Sequence, residues 1–233
     1  MASDDLRVHD VLRQRSVLGR LPDEALAGLI GRGRPVRFAK GEALYRRGDA
    51  GESMIVIVAG RVKISNVTDD AREVILNFLG PGDLIGEMAA LDGSQRSADA
   101  TALDTVAGLL FYRRDMIATL ERHPEALLGI VAELATKLRR TSAMIEHGVL
   151  QMSGRAARGL LRLAEQHGRE AADGMRLEIK LSQKDLGSYL GLSRENTSRE
   201  LSRLREAGLI RVEGGEIVII DRAGLEAWAT AEA

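Results

Sequence analysis

Residues 181–219, LSQKDLGSYLGLSRENTSRELSRLREAGLIRVEGGEIVI, decide the fold of the C-terminal part of the chain. Ser182 stands before an apolar-periodic stretch and has Asp185 three residues on, the spacing of a helix N-cap with a capping-box-like partner. Leu186, Tyr189 and Leu190 give that helix a buried face, and Gly191 ends it. Ser193 is a second N-cap, which predicts a helix through Arg205 to Gly208 with Thr197, Leu201 and Leu204 on its inner side. Two helices joined by a short turn containing glycine make a helix-turn-helix. The next two runs, Leu209 to Glu213 and Glu216 to Ile220, flank Gly214-Gly215, a two-residue loop suited to a primed turn, so a hairpin wing completes the pattern.

At about 100° per residue, Arg194, Glu195, Ser198 and Arg199 share one arc of the second helix, centred about 120° from that of Thr197, Leu201 and Leu204. They occupy its first two turns, where a helix laid in the major groove meets base edges. Arginine grips guanine O6 and N7 bidentately, and glutamate accepts from cytosine N4. A solvated face with a Glu195–Arg199 pair at i, i+4 is the competing reading, and the wing behind the helix favours base recognition. The stretch resembles the DNA-binding domain of the cyclic-AMP receptor protein superfamily, in which a Ser-Arg-Glu-x-x-x-Arg motif opens the recognition helix. The resemblance implies double-stranded DNA as partner and Ser182, Ser193, Arg194, Glu195, Ser198 and Arg199 as contact residues. Arg194, Glu195 and Arg199 fall on its guanine-, cytosine- and guanine-reading positions, whereas Ser198 resembles the fumarate and nitrate reduction regulator branch. The half-site implied is TGTGA-like or a hybrid.

Upstream, GRAARGLLRLAEQHG (residues 154–168) is again helical, so residues 154–233 read as a mostly helical DNA-binding domain. Before it, Leu127, Val131, Leu134, Leu138, Thr141, Ile145, Gly148 and Met152 follow at steps of 4, 3, 4, 3, 4, 3 and 4, the pattern of a coiled-coil seam. The alternative is an amphipathic helix packed on its own domain, because the run is shorter than four heptads. Residues 119–153 are therefore expected to form a long dimerisation helix, on which Thr141 is a polar seam residue in need of a partner.

From Pro35 to Tyr112 the runs PVRFA, SMIVIVA, RVKISNV, EVILNFL and TVAGLLFY are separated by Gly41, Gly48, Gly51, Gly60, Gly80-Pro81-Gly82 and Gly93. Short strands with regular glycine punctuation predict an antiparallel barrel or jelly roll in residues 1–118, behind a lead-in of short helices that Gly31 and Gly33 stop. The fold class is α+β. Within this domain GEMAALDGSQRSA (residues 86–98) reads as an anion cradle. Gly86 permits a sharp turn, a short helix opening at Glu87, Met88 and Ala89 aims amides at an anion, Arg96 neutralises a phosphate and Ser97 donates a hydroxyl bond. Glu87 would repel a phosphate unless it accepts from something else, such as a ribose hydroxyl. A barrel corner with a Glu87–Arg96 salt bridge is the alternative.

The same run resembles the phosphate-binding cassette of cyclic-nucleotide-binding domains, whose glutamate holds the ribose 2′-hydroxyl and whose arginine and serine hold the cyclic phosphate. Thr141 and Ser142 resemble the family's Thr-Ser pair, which meets the purine edge from both subunits; one residue back, Arg140 and Thr141 fit the same role. The resemblance spans residues 12 to 222 and implies a homodimeric bacterial transcription regulator, its effector cyclic AMP or else cyclic GMP, its further partner RNA polymerase. A regulator of the same fold that needs no effector, or answers to a non-nucleotide, is the competing expectation.

Composition narrows the alternatives. No cysteine and only four histidines leave nothing for disulfides, thiol nucleophiles, iron–sulfur clusters or multi-cysteine zinc, and no metal is expected. His123 and His147 read as surface residues rather than haem ligands. The cassette carries no nucleophile–base pair, so no enzyme, such as a phosphodiesterase, is expected. MASDDLRVHD has no apolar h-region, and the longest apolar run, Met54 to Ala59, falls far short of a span of roughly 20 residues, which predicts a cytoplasmic protein without membrane contact. Thirty-three Lys plus Arg stand against 34 Asp plus Glu, and residues 154–233 hold 13 of each, so neither part is basic.

Overall fold

The computed structural model describes residues 2–147 and 152–231. They fall into two compact units, residues 1–67 with 75–139, and residues 68–74 with 140–233.

The first unit opens with α1 (Ala2–Arg15), a 3-10 turn (Val17–Arg20) and α2 (Asp23–Ile30). Strands β1 (Arg34–Phe38), β2 (Ala43–Tyr45), β3 (Ser53–Ala59), β4 (Val62–Val67), β5 (Glu73–Leu79) and β6 (Leu84–Ile85) follow. Then come α3 (Glu87–Asp92), β7 (Asp99–Ala102), β8 (Val106–Tyr112), α4 (Arg113–Arg122) and α5 (Pro124–His147), which runs on beyond residue 139. The strands form two four-stranded sheets, ordered β1-β8-β3-β6 and β2-β7-β4-β5, the antiparallel roll that the sequence predicts. Each long apolar run becomes a strand.

The strand β3 explains why SMIVIVA carries no polar alternation. Ile55 and Ile57 enter the core between the sheets with Val62, Leu79, Ile85 and Val106. Met54 and Val56 point the other way, into a second core with Leu84, Phe111, Met116, Leu120 and the helical residues Leu12, Leu26, Ala126 and Ile130. A strand covered on both faces must be apolar at every position. Thus α5 turns Ala126, Ile130 and Leu134 onto its own unit, while Leu127, Leu128, Val131 and Leu138 stay exposed. Of the seam, Gly148 and the side chains of Ile145 and Met152 lie outside the described residues.

The second unit contains α6 (Met152–His167), β9 (Gly168–Ala171), β10 (Gly174–Leu177), α7 (Gln183–Leu190), α8 (Arg194–Glu206), β11 (Ile210–Glu213), β12 (Glu216–Ile219) and α9 (Arg222–Ala231). Its sheet is ordered β11-β12-β10-β9, so the expected wing hairpin is extended by a second one. The Ser182 hydroxyl accepts from the Asp185 amide and the Ser193 hydroxyl from the Asn196 amide, both as N-caps. Gly191 closes α7 in the left-handed region, and Gly214 and Gly215 have φ of 58° and 83°, as a type I′ turn requires. Thr197, Leu201 and Leu204 are buried, as their arc predicts. Among the described residues no helix is long and apolar enough to cross a membrane.

Candidate functional site

Gly86 caps α3 with φ 77°, and a Cβ there would collide with the Arg96 guanidinium. Glycine is thus demanded both by the backbone and by the close approach of a cation. Arg96 is 7% exposed, its Nη1 donating to the Gly86 carbonyl at 2.7 Å and its Nη2 to the Ser53 carbonyl at 2.8 Å. Its Nε is buried without a hydrogen-bond partner. Burial pulls the guanidinium below the ordinary arginine value, against the opposing fields of Tyr45, Asp49 and Glu87. A desolvated cation with one orphaned N–H is a donor short of an acceptor, and leaving it unmet costs about 1–3 kcal/mol.

Glu87, 5% exposed, does not pair with Arg96. Lys137 of α5 donates instead, from Nζ to Glu87 Oε1 at 2.8 Å and to the Leu84 carbonyl at 3.1 Å, and pairs with Glu133 at 2.9 Å. Burial would discharge this lysine, but Glu87 and Glu133 outweigh it and hold its pKa above the ordinary value. Burial raises the Glu133 carboxyl, with Lys137 opposing. Sequence reasoning missed Lys137, which lies off the seam and reads as surface charge. Its only signal is the i, i+4 spacing from Glu133, which many solvated helices share.

The remaining cradle residues divide. Met88 and Ala89 sit in the first turn of α3, where amides have no intrahelical acceptor; Met88 is exposed and Ala89 buried. Ser97 follows Arg96 and is exposed. Gly86, Glu87 and Arg96 are brought together, whereas Thr141 and Ser142 are exposed positions of α5 in the segment that belongs to the second unit.

In that second unit, Arg194, Glu195, Ser198 and Arg199 line one concavity of about 680 Å³ with Gln183 and Ser202. All four predicted readers are exposed on one face of α8, and Ser182 and Ser193 start the two helices beside them. Gln183 and Ser202 were not foreseen: the first is the residue after a cap, the second one turn beyond Ser198 on the same arc. The arginines of the wing differ, for Arg176 pairs with Glu216 at 2.8 Å, and Arg211 with Asp173 and Glu213.

Residues 35–123 match the cyclic nucleotide-binding domain family, and residues 154–228 match the Crp-like helix-turn-helix domain. The chain is 29% identical to the CRP-like cAMP-activated global transcriptional regulator of Mycobacterium tuberculosis, over 91% of this chain and 95% of that one. It is 31% identical to the cyclic AMP receptor protein of Thermus thermophilus, over 81% of this chain and 85% of the relative. Among solved structures, FixK2 from Bradyrhizobium japonicum superposes with a TM-score of 0.75 at 26% identity, covering 86% of this chain and 99% of that one.

Proposed function

Because the chain belongs to the cyclic-AMP receptor protein/FNR family of transcription regulators, with cyclic nucleotide-binding and helix-turn-helix DNA-binding domains, we propose that it is a homodimeric regulator switched by cyclic AMP. The observation that carries this reading is the buried Arg96, its Nε unmet, beside the buried carboxylate of Glu87. A phosphate and a sugar hydroxyl are the chemistry such a pair fits. Arg96 and Ser97 would hold the cyclic phosphate, Glu87 the ribose 2′-hydroxyl, and Thr141 with Ser142 the purine edge. The bound nucleotide supplies a negative charge and a hydroxyl donor.

The chain's own residues then carry the signal. Lys137 ties Glu87 to α5, the helix whose Val131 and Leu138 are 53% and 68% exposed. A second copy is the natural cover for that apolar row, since its spacing is a coiled-coil seam. Any redistribution of hydrogen bonds at Glu87 therefore acts on the pairing helix, and ligand and DNA bias one equilibrium. Two recognition helices held roughly 34 Å apart read a palindromic, TGTGA-like site through Arg194, Glu195 and Arg199. RNA polymerase is the further partner and the cytoplasm the place of action.

Titration calorimetry with cyclic AMP and cyclic GMP tests the effector. Heat and a rise in melting temperature are expected with cyclic AMP; neither at about millimolar ligand refutes the reading. One observation favours a second reading, a regulator of this fold that needs no nucleotide: Glu87 is already satisfied by Lys137, and both Nη atoms of Arg96 by carbonyls.

A further inference from the structure

We propose that Tyr45 is a positioning residue of the effector cradle, its ring holding the Arg96 guanidinium in one geometry at the anion site. The proposal rests on the reading of that cradle as the nucleotide site. Tyr45 ends β2, where it pairs with Ala100 of β7, and nothing in the cassette run 86–98 points to it. Its ring lies over the Arg96 guanidinium, with 4.4 Å from Cζ to the ring centroid. The guanidinium under that ring donates from Nη1 to the Gly86 carbonyl at 2.7 Å. The ring therefore packs on the cation that holds the cap of α3.

The consequences follow from what Arg96 has left. Carbonyls of Gly86 and Ser53 fix its two terminal nitrogens, and the Tyr45 ring covers one face of the guanidinium plane. The Nε edge, buried and unpartnered, is the outlet. An arginine so clamped loses little freedom when it meets an anion, and affinity rises by the ordering cost avoided. The chemical type of the clamp matters. A carboxylate in place of the ring would neutralise Arg96 and compete with phosphate, whereas an aromatic face attracts the cation and leaves its charge available. Burial, then the field of Glu87, pushes the Tyr45 hydroxyl up to about 12, so the phenol stays neutral and does not repel an anion.

The test uses the full chain with Tyr45→Leu and Tyr45→Phe, calorimetric dissociation constants for cyclic AMP, and the side-chain Nε–H resonance of Arg96 in the free protein. Tyr45→Leu should weaken cyclic AMP by about fivefold, the cost of ordering one long side chain on binding. Tyr45→Phe, which keeps the ring, should restore most of this. In Tyr45→Leu the Arg96 Nε–H should lose its ring-current shift and exchange faster with water, a signature that packing elsewhere would not move. Unchanged affinity in Tyr45→Leu, or an unchanged Nε–H resonance, overturns the proposal. If Tyr45→Leu does not fold, Tyr45→Met, which keeps the bulk without an aromatic face, decides, and its binding as tightly as the parent overturns the proposal. A parent that takes neither cyclic AMP nor cyclic GMP brings down the underlying reading and this one with it; a parent that binds beside an indifferent Tyr45→Leu brings down this one alone.

Discussion

Replacing Lys137 by methionine leaves the length and much of the packing of the side chain in place and strands two carboxylates. Lys137 lies 2.8 Å from Glu87 and 2.9 Å from Glu133, with side-chain exposures of 21%, 7% and 22% in that order. Removing one partner of a buried ion pair costs about 3–5 kcal/mol, and the partial exposure of Glu133 argues for the lower figure. At about 3 °C per kcal/mol for a chain of this size, the transition of the N-terminal unit should fall by about 9 °C at pH 8. The pH dependence discriminates this cause from lost packing. Burial already raises the Glu133 carboxyl above its ordinary value, and without the opposing lysine that carboxyl titrates higher still in the folded state. A group whose folded pKa is raised stabilises the protein at low pH and loses that contribution as pH rises through the folded value. The deficit of Lys137→Met should thus shrink as pH falls from about 8 toward about 5. Thermal melts followed by circular dichroism at the two pH values measure it. A variant that melts within about 2 °C of the parent at pH 8, or whose deficit is the same at both, refutes the argument that Lys137 neutralises the cradle.

Arg199→Ala should cost about 1–3 kcal/mol on a specific site and relax one base position, read by fluorescence anisotropy on a panel of single-base variants of the operator. Equal affinity across the panel for variant and parent would remove α8 as the reading helix. Leu138→Glu places a charge on a residue that is 68% exposed, so the fold should survive while the seam does not. Sedimentation velocity should show the parent as a dimer and the variant as a monomer with weakened DNA binding; a dimeric variant would mean that α5 is not the pairing surface.

Much of the fold was legible because its signals are local. The caps at Ser182 and Ser193, the left-handed Gly191 and the Gly214-Gly215 turn each act over a few residues, and each stands where the sequence puts it. The long apolar runs became β1, β3, β4, β5 and β8 for the same reason. The short strands did not announce themselves: Leu84–Ile85 is two residues, and the hairpin of β9 and β10 is built from GREA and GMRL, the first largely exposed and the second half-buried up to a buried Leu177. Its Asp173-Gly174 turn was the one available cue. At the cradle, Gly86, Glu87 and Arg96 lie in one run and were found together. Lys137, Ser53 and Tyr45 were not, because they reach the site from 50, 43 and 51 residues away and carry no pattern of their own. A motif shows the residues that face a ligand; the groups that hold those residues are chosen by the tertiary structure.

The balance of 13 basic and 13 acidic residues in residues 154–233 acquires a physical meaning from how the charges are spent. On the wing sheet they are spent on one another: Asp173 serves Arg176 and Arg211, Glu216 serves Arg176 and Lys180, and Glu213 adds to Arg211. Arginines so neutralised release few counterions from DNA, and counterion release is what drives sequence-independent binding. On α8 the arrangement is the reverse, with Arg194, Glu195 and Arg199 exposed around a shared concavity. On the proposed reading of α8 as the recognition helix, such a protein holds random DNA poorly and gains affinity mainly where base edges match. The free energy of one such contact set is modest, which gives the proposed dimer its purpose, and the exposed row of α5 is where two copies would be joined. Near-neutrality is then consistent with DNA recognition: it suppresses the background against which the proposed ligand-dependent change in pairing would be read.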